Sequence, residues 1–183
     1  MKEVLVNYPD SLVQKAKNIK AVISDVDGVL TDGGIIYDNQ GNEFKKFNVK
    51  DGLIIKYLRE TGILVGFISG RSSAMVERRL NELKVDFYFQ GVANKDSEYE
   101  KVKAQWKLKD EMVAYIGDDI NDLSLIVKSG LGVTPQDAPE YVRKQADMIA
   151  SVAGGQGVFR EVAELILAAQ DKLKPIIDKQ KIS

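Results

Sequence analysis

The chain has 183 residues and contains neither cysteine nor histidine. Without cysteine there can be no disulfide scaffold, thiolate nucleophile or cysteine-held metal cluster. Without histidine there can be no serine–histidine triad, phosphohistidine intermediate or imidazole metal ligand. Any chemistry must run on carboxylates, hydroxyls, lysine, arginine and hard metal ions. A surplus of either charge is missing too: 26 basic and 27 acidic side chains leave a formal charge of −1. That balance gives no electrostatic reason to expect a nucleic-acid or anionic-membrane partner. The longest apolar stretch, near Gly62 to Ile68, is far shorter than the ~18 residues a spanning helix needs. Met1 to Lys20 carries scattered Lys and Asn and a Pro instead of the apolar run of a secretory signal. The expected location is the cytoplasm.

What is present reads as one α/β domain over residues 1–183, with 44% hydrophobic and 29% charged residues. Short apolar runs bounded by turn residues recur at Ala21 to Ser24, Ile63 to Ile68, Phe87 to Phe89, Met112 to Ile116 and Leu131 to Val133. They are apolar on both faces, as buried parallel strands are. Helical spacing lies between them. Leu53, Ile54, Tyr57 and Leu58 share one helix side, Met75, Val76, Leu80 and Leu83 another, and further helices are expected at Asp96 to Trp106, Asn121 to Lys128 and Val158 to Leu173. The alternation predicts a Rossmann-like parallel sheet with helices on both faces. One segment departs from it: residues 34–47 read as a small β-hairpin turning at Asp38 to Asn42, inserted after the first strand. Residues 172–183 read as a tail or arm.

Four clusters of reactive side chains each follow a strand. Asp25 and Asp27 stand two apart in Ser24-Asp25-Val26-Asp27-Gly28, where a turn can present both carboxyl groups above the sheet edge. Like charges that close need a cation, or one of them keeps its proton. Taken alone, an Asp-x-Asp-Gly is more simply an Asx-rich turn. Gly117-Asp118-Asp119-Ile120-Asn121-Asp122 then brings three more carboxylates to the same edge, more than helix capping accounts for. An oxygen-only set of this kind suits Mg²⁺. Ser69, in Ile68-Ser69-Gly70-Arg71, offers a hydroxyl and amides as a phosphate seat, and Lys95 adds a positive charge. Singly, these two are an ordinary cap and a solvated lysine.

This order of motifs resembles the haloacid-dehalogenase superfamily of phosphatases and phosphotransferases, matched here by Asp25 to Thr31, Ser69, Lys95 and Gly117 to Asp122. The resemblance implies an aspartyl-phosphate mechanism on Mg²⁺. Asp25 would be the nucleophile and Asp27 the general acid and base. Asp25, the Asp27 main-chain carbonyl and Asp118 would hold the metal, and Ser69 and Lys95 the phosphoryl oxygens. Asp119 and Asp122 would act behind them or on metal-bound water.

The likeness narrows at Phe47 to Gly52, at Ile68 to Arg71 and at Ala153 to Glu161. These segments, with the short hairpin in place of a cap domain, are similar to the family of 3-deoxy-D-manno-octulosonate 8-phosphate phosphatases. That family implies lipopolysaccharide precursor synthesis, a homotetramer whose hairpins build a central barrel, and a phosphorylated sugar acid as substrate. By position it places Asn48, Val49, Lys50, Asp51, Gly52, Lys56, Arg71, Arg79 and Asn121 at the substrate, with Asp27 and Lys95. Lys50 and Lys56 stand where the family commonly has arginine, which alone offers a bidentate fork to a carboxylate. Ser69 replaces the commoner threonine, and Gln156 an arginine. Two alternatives remain: a phosphatase for a nine-carbon sialic-acid-type 9-phosphate, and a non-catalytic assembly module like those appended to cytidylyltransferases.

Overall fold

The computed structural model describes residues 2–182. Its centre is a six-stranded, wholly parallel sheet built from β1 (Ala21–Ser24), β4 (Leu64–Ile68), β5 (Phe87–Phe89), β6 (Val113–Ile116), β7 (Leu131–Thr134) and β8 (Met148–Ile149), in the order β5-β4-β1-β6-β7-β8. The order reverses at β1, so the crevice at the carboxyl ends of β1, β4 and β6 is the expected ligand position of an open α/β sheet. β2 (Ile36–Tyr37) and β3 (Glu43–Phe44) form a separate antiparallel hairpin with Tyr37 opposite Glu43. The Asp38 carboxylate ties its turn, accepting from the amides of Gln40 and Asn42 at 2.8 Å each.

Alternation along each strand feeds two cores. Val22, Val65, Phe67, Ala114 and Ile116 face one side, against α2 (Asp10–Asn18), α3 (Val49–Glu60), α4 (Ala74–Glu82) and α8 (Val158–Ala169). Ile23, Ile68, Val113 and Tyr115 face the other, against α5 (Lys95–Trp106), α6 (Leu123–Lys128) and α7 (Glu140–Arg143). α8 is the most deeply set helix, and its Phe159 stacks on Phe67 with ring centroids 5.7 Å apart. The remaining helices are α1 (Lys2–Leu5) and α9 (Leu173–Ile182). Among the described residues no helix is long and apolar enough to cross a membrane.

The structure has the expected Rossmann-like sheet and hairpin, and it corrects several details. Leu53 and Met75 are exposed, and Ile55 takes the buried place that helical spacing assigned to Leu53. The expected helix from Asn121 opens as a 3₁₀ turn over Ile120–Asp122 before α6. The run Val158 to Leu173 is broken at Asp171, whose φ of 57° ends α8. Up to Ile182 the expected tail is helix α9, anchored by the buried Leu173, and Ser183 lies outside the described residues. α1, α7 and β8 are too short to be read from sequence, whereas α2, with Leu12 and Ala16 buried on one side, is a helix that the sequence reading missed.

Candidate active site

β1 and β6 end side by side, and the Asp25 amide extends their pairing by donating to the Ile116 carbonyl at 2.8 Å. This register lifts the Asp25 side chain out of the sheet edge into the crevice. Gly28, at φ 82°, then turns the chain, and a Cβ there would fall 2.0 Å from Asp118 Oδ2. Glycine at this position is what lets the carboxylate from the β6 loop close on the β1 loop. The loop is buttressed in turn by Gly154 and Gly155. A Cβ on Gly154 would stand 2.1 Å from the Gly28 carbonyl, and the Gly155 amide donates to the Val29 carbonyl at 2.9 Å. Gly154 and Gly155 are therefore packing surfaces for the Asp-x-Asp loop, and Gly157, at φ 109°, makes the turn into α8.

Lys95, first residue of α5, is buried and reaches back to the same point. Asn94 fixes the start of that helix by accepting from the Asp96 amide at 3.0 Å. Lys95 Nζ stands 2.7 Å from Asp122 Oδ1 and 3.1 Å from Asp25 Oδ1. The wholly buried Asp122 also accepts from the Tyr115 hydroxyl at 2.5 Å and the Asp118 amide at 3.3 Å. Its oxygens are thus engaged in holding the lysine and the β6 loop.

Carboxylate oxygens of Asp25, Asp118 and Asp122 lie within 4.8 Å of one another. Three carboxylates facing Lys95 leave a surplus of two negative charges if all ionise. Burial and the neighbouring Asp122 push the Asp25 carboxyl up to about 7, against the pull of Lys95. Burial, Asp25 and Asp122 push Asp118 up to about 8. For Lys95, burial works against the charge, but Asp25 and Asp122 outweigh it and hold the ammonium above its usual range. Asp25 Oδ1 is buried and receives no hydrogen bond, its Lys95 contact being an ion pair only. An oxygen-lined site short of about two positive charges, with an unsatisfied buried oxygen, fits Mg²⁺ on Asp25 and Asp118.

Ser69 follows β4 and is buried, its amide donating to the Phe89 carbonyl at 2.9 Å. α4 begins only at Ala74, so Ser69 sits in a loop and not at a helix start. Asp25, Asp27, Gly28, Ser69, Arg71, Asp118, Asp119 and Asn121 line one cleft of about 230 Å³. The Asp119 carboxylate is held at its rim by the Ile120 amide at 2.7 Å and the Tyr141 hydroxyl at 3.1 Å.

The other residues assigned to substrate lie elsewhere in the chain. Val49, Gly52, Lys56 and Arg79 line a groove of about 820 Å³ between α3 and α4. Arg79 lies across Gly52, where a Cβ would meet its Nη2 at 2.5 Å. Asn48 caps α3 through the Lys50 amide at 3.0 Å, and Lys50 is exposed. Asp51 is buried and accepts from the Arg160 amide at 2.8 Å, so it caps α8 from a neighbouring helix. Burial pushes its carboxyl up to about 6, although Arg160 and Arg79 pull it down. Replacing Asp51 by alanine should cost about 1–2 kcal/mol and lower the thermal midpoint by about 3–6 °C. An unchanged midpoint in calorimetry would remove the cap.

The sequence reading missed the hairpin's polar face. Lys45 Nζ lies 2.5 Å from Asp27 Oδ1, and Glu43 accepts from the Ser73 hydroxyl at 2.5 Å and from Arg71 at 3.4 Å. No local signal marks them, because β3 ends at Phe44 and Lys45 follows it outside the strand.

The family of haloacid dehalogenase-like hydrolases matches this sequence over residues 88–162. The 3-deoxy-D-manno-octulosonate 8-phosphate phosphatase of Yersinia pestis is 42% identical over 165 residues, covering 90% of this chain and 88% of its own. The Haemophilus influenzae enzyme of the same name is 43% identical over 159 residues, covering 87% of this chain and 88% of its own. Among solved structures, the Moraxella catarrhalis phosphatase of that name, in complex with magnesium ion, phosphate ion and KDO, superposes with a TM-score of 0.91. It is 40% identical and covers 94% of this chain and 99% of its own. Likeness of that degree over most of both chains makes this chain a member of the haloacid dehalogenase-like hydrolases, within the family of 3-deoxy-D-manno-octulosonate 8-phosphate phosphatases.

Proposed function

We propose that this chain is a Mg²⁺-dependent phosphatase that hydrolyses 3-deoxy-D-manno-octulosonate 8-phosphate to the free sugar acid and phosphate, in lipopolysaccharide precursor synthesis. The observation that carries the reading is the buried Asp25 carboxylate, which lines the cleft beside Lys95 and Asp118, with Asp27 on the same loop. Bound Mg²⁺, held by Asp25, Asp118 and the Asp27 main-chain carbonyl, would supply positive charge that lets an anionic nucleophile approach an anionic phosphate.

The rest of the work belongs to the side chains. Ser69 and Lys95 fix the phosphoryl oxygens, and a carboxylate oxygen of Asp25 attacks phosphorus in line. As the phosphorus–oxygen bond to the sugar breaks, Asp27 gives its proton to the departing oxygen. Water then attacks the aspartyl phosphate and passes a proton back to Asp27, the bond to Asp25 breaks, and phosphate leaves. Asp122 and Tyr115 keep Lys95 aimed at the reacting group. Arg71 and Asn121 at the cleft wall are the recognition groups for the sugar acid, guanidinium pairing with its carboxylate.

A cleft of about 230 Å³ is smaller than the ~300–1,000 Å³ typical of ligand sites, so it takes the phosphate and leaves much of the sugar outside. Val49, Gly52, Lys56 and Arg79 line another surface, the α3–α4 groove. A homotetramer in which one protomer's α3–α4 groove completes a neighbour's cleft accounts for both facts. The chain is one domain acting in the cytoplasm. The test is phosphate release with Mg²⁺ from the eight-carbon 8-phosphate and a nine-carbon sialic-acid-type 9-phosphate side by side. The expected result is at least tenfold higher kcat/KM for the eight-carbon ester. The opposite preference would sink the substrate assignment, and no release from any ester would sink the phosphatase reading.

A further inference from the structure

Resting on that phosphatase reading, the structure assigns a part in the reaction to the hairpin: we infer that Lys45 is a positioning residue that fixes the Asp27 carboxylate for proton transfer to the leaving oxygen. A lysine in an exposed two-strand hairpin should be solvated. The Lys45 side chain is instead 0% exposed, with Nζ 2.5 Å from Asp27 Oδ1 and 3.7 Å from Glu43 Oε1. Its neighbour Lys46 is 66% exposed and pairs only with Asp32 at the surface. Just past β3, the chain thus turns one lysine of the pair into the crevice and the other out to water.

The two oxygens of Asp27 are treated differently. Oδ1 is tethered by Lys45 and by the Thr31 hydroxyl at 3.3 Å. Oδ2 is buried and, among the described residues, receives no hydrogen bond, with Arg71 Nε 3.7 Å away. An anchored oxygen fixes the torsions of the side chain, and a free one at the cleft is the one that can hold and deliver a proton. The step balances simply: the proton on Oδ2 goes to the sugar oxygen as its bond to phosphorus breaks, leaving Asp27 a carboxylate. Lys45 touches neither substrate nor reacting atoms in this scheme; it acts through Asp27. The hairpin, which by length is no cap domain, thus takes part in chemistry through one buried ammonium.

The scheme makes the loss depend on the leaving group. An alkoxide needs the proton; an acidic phenol departs without it. The test compares kcat/KM, which reports the steps through departure of the leaving group, for the sugar-acid 8-phosphate and for 4-nitrophenyl phosphate. Lys45→Met, which keeps the apolar stem, should lose about 10²-fold on the sugar ester and less than about 5-fold on the aryl ester. Lys45→Arg restores the charge and should recover much of the loss on the sugar ester, while Lys46→Met should match wild type on both. Equal losses on the two esters, or no loss on either, overturn the inference while leaving the phosphatase reading standing. If Lys45→Met does not fold, Lys45→Arg decides, with a loss confined to the sugar ester expected and an equal loss on both overturning. Wild-type protein that releases phosphate from neither ester overturns the phosphatase reading and this inference with it.

Discussion

Asp25→Asn will abolish Mg²⁺-dependent phosphate release, lowering kcat on the order of 10⁴-fold or more, while leaving the protein folded. An amide has the shape of the carboxylate but cannot attack phosphorus, so the loss falls on the covalent step and not on the architecture. Asp25 is buried with one oxygen receiving no hydrogen bond, and its carboxyl is pushed up to about 7 by burial and Asp122. Removing that charge relieves the metal-free fold instead of damaging it, because Lys95 keeps its 2.7 Å partner Asp122. The thermal midpoint without Mg²⁺ should therefore equal or exceed that of wild type at pH 8. Steady-state phosphate release and a thermal melt on one preparation check both halves. Activity within a few fold of wild type would remove Asp25 as the nucleophile, and a collapsed melt would show that its role is structural.

The parts of this site that could be read from sequence are those whose geometry is local. Asp25, Asp27 and the Gly117 to Asp122 run each follow a strand directly, and parallel pairing of β1 with β6 brings them together without help from distant segments. Lys95 was legible for the same reason, at the start of α5. The arrangement of Asp122 was not, because its bonds to Lys95 and Tyr115 depend on how three elements pack. Lys45 and Glu43 escaped notice because docking of the hairpin is a tertiary event that no periodicity records. Asp51 illustrates the converse. A motif position ascribed it to substrate, yet in the folded chain it is buried as the cap of α8. The sheet was recoverable from five apolar runs, whereas β8, two residues long, carries no sequence signal of its own.

The cluster's charge surplus gives the metal a second, thermodynamic signature. In the folded, metal-free chain Asp118 titrates at about 8 and Asp25 at about 7, far above their ordinary 3.8. The folded state therefore holds protons that the unfolded chain has already released, and stability falls as pH rises through this interval. The penalty is absent below about pH 4 and complete above about pH 8. Asp51, raised to about 6, adds to it in the same direction. The carboxyls held below their usual range, Asp32, Asp38, Glu43, Glu100, Asp110 and Asp178, contribute stability that is complete above about pH 5 and do not blur the slope. Each retained proton tilts stability by about 1.4 kcal/mol per pH unit, or about 3–5 °C in thermal midpoint for a chain of this size. Chelated protein should thus melt progressively lower from pH 5.5 to pH 8.5. Mg²⁺ should close the gap, raising the midpoint more at pH 8.5 than at pH 5.5, where protons compete for the same oxygens. Asp118→Asn removes one titrating ligand, so it should flatten the chelated profile and lose the Mg²⁺ response together. A chelated midpoint that stays level or climbs across this interval, or a Mg²⁺ shift independent of pH, would show that these carboxylates are not what the metal neutralises.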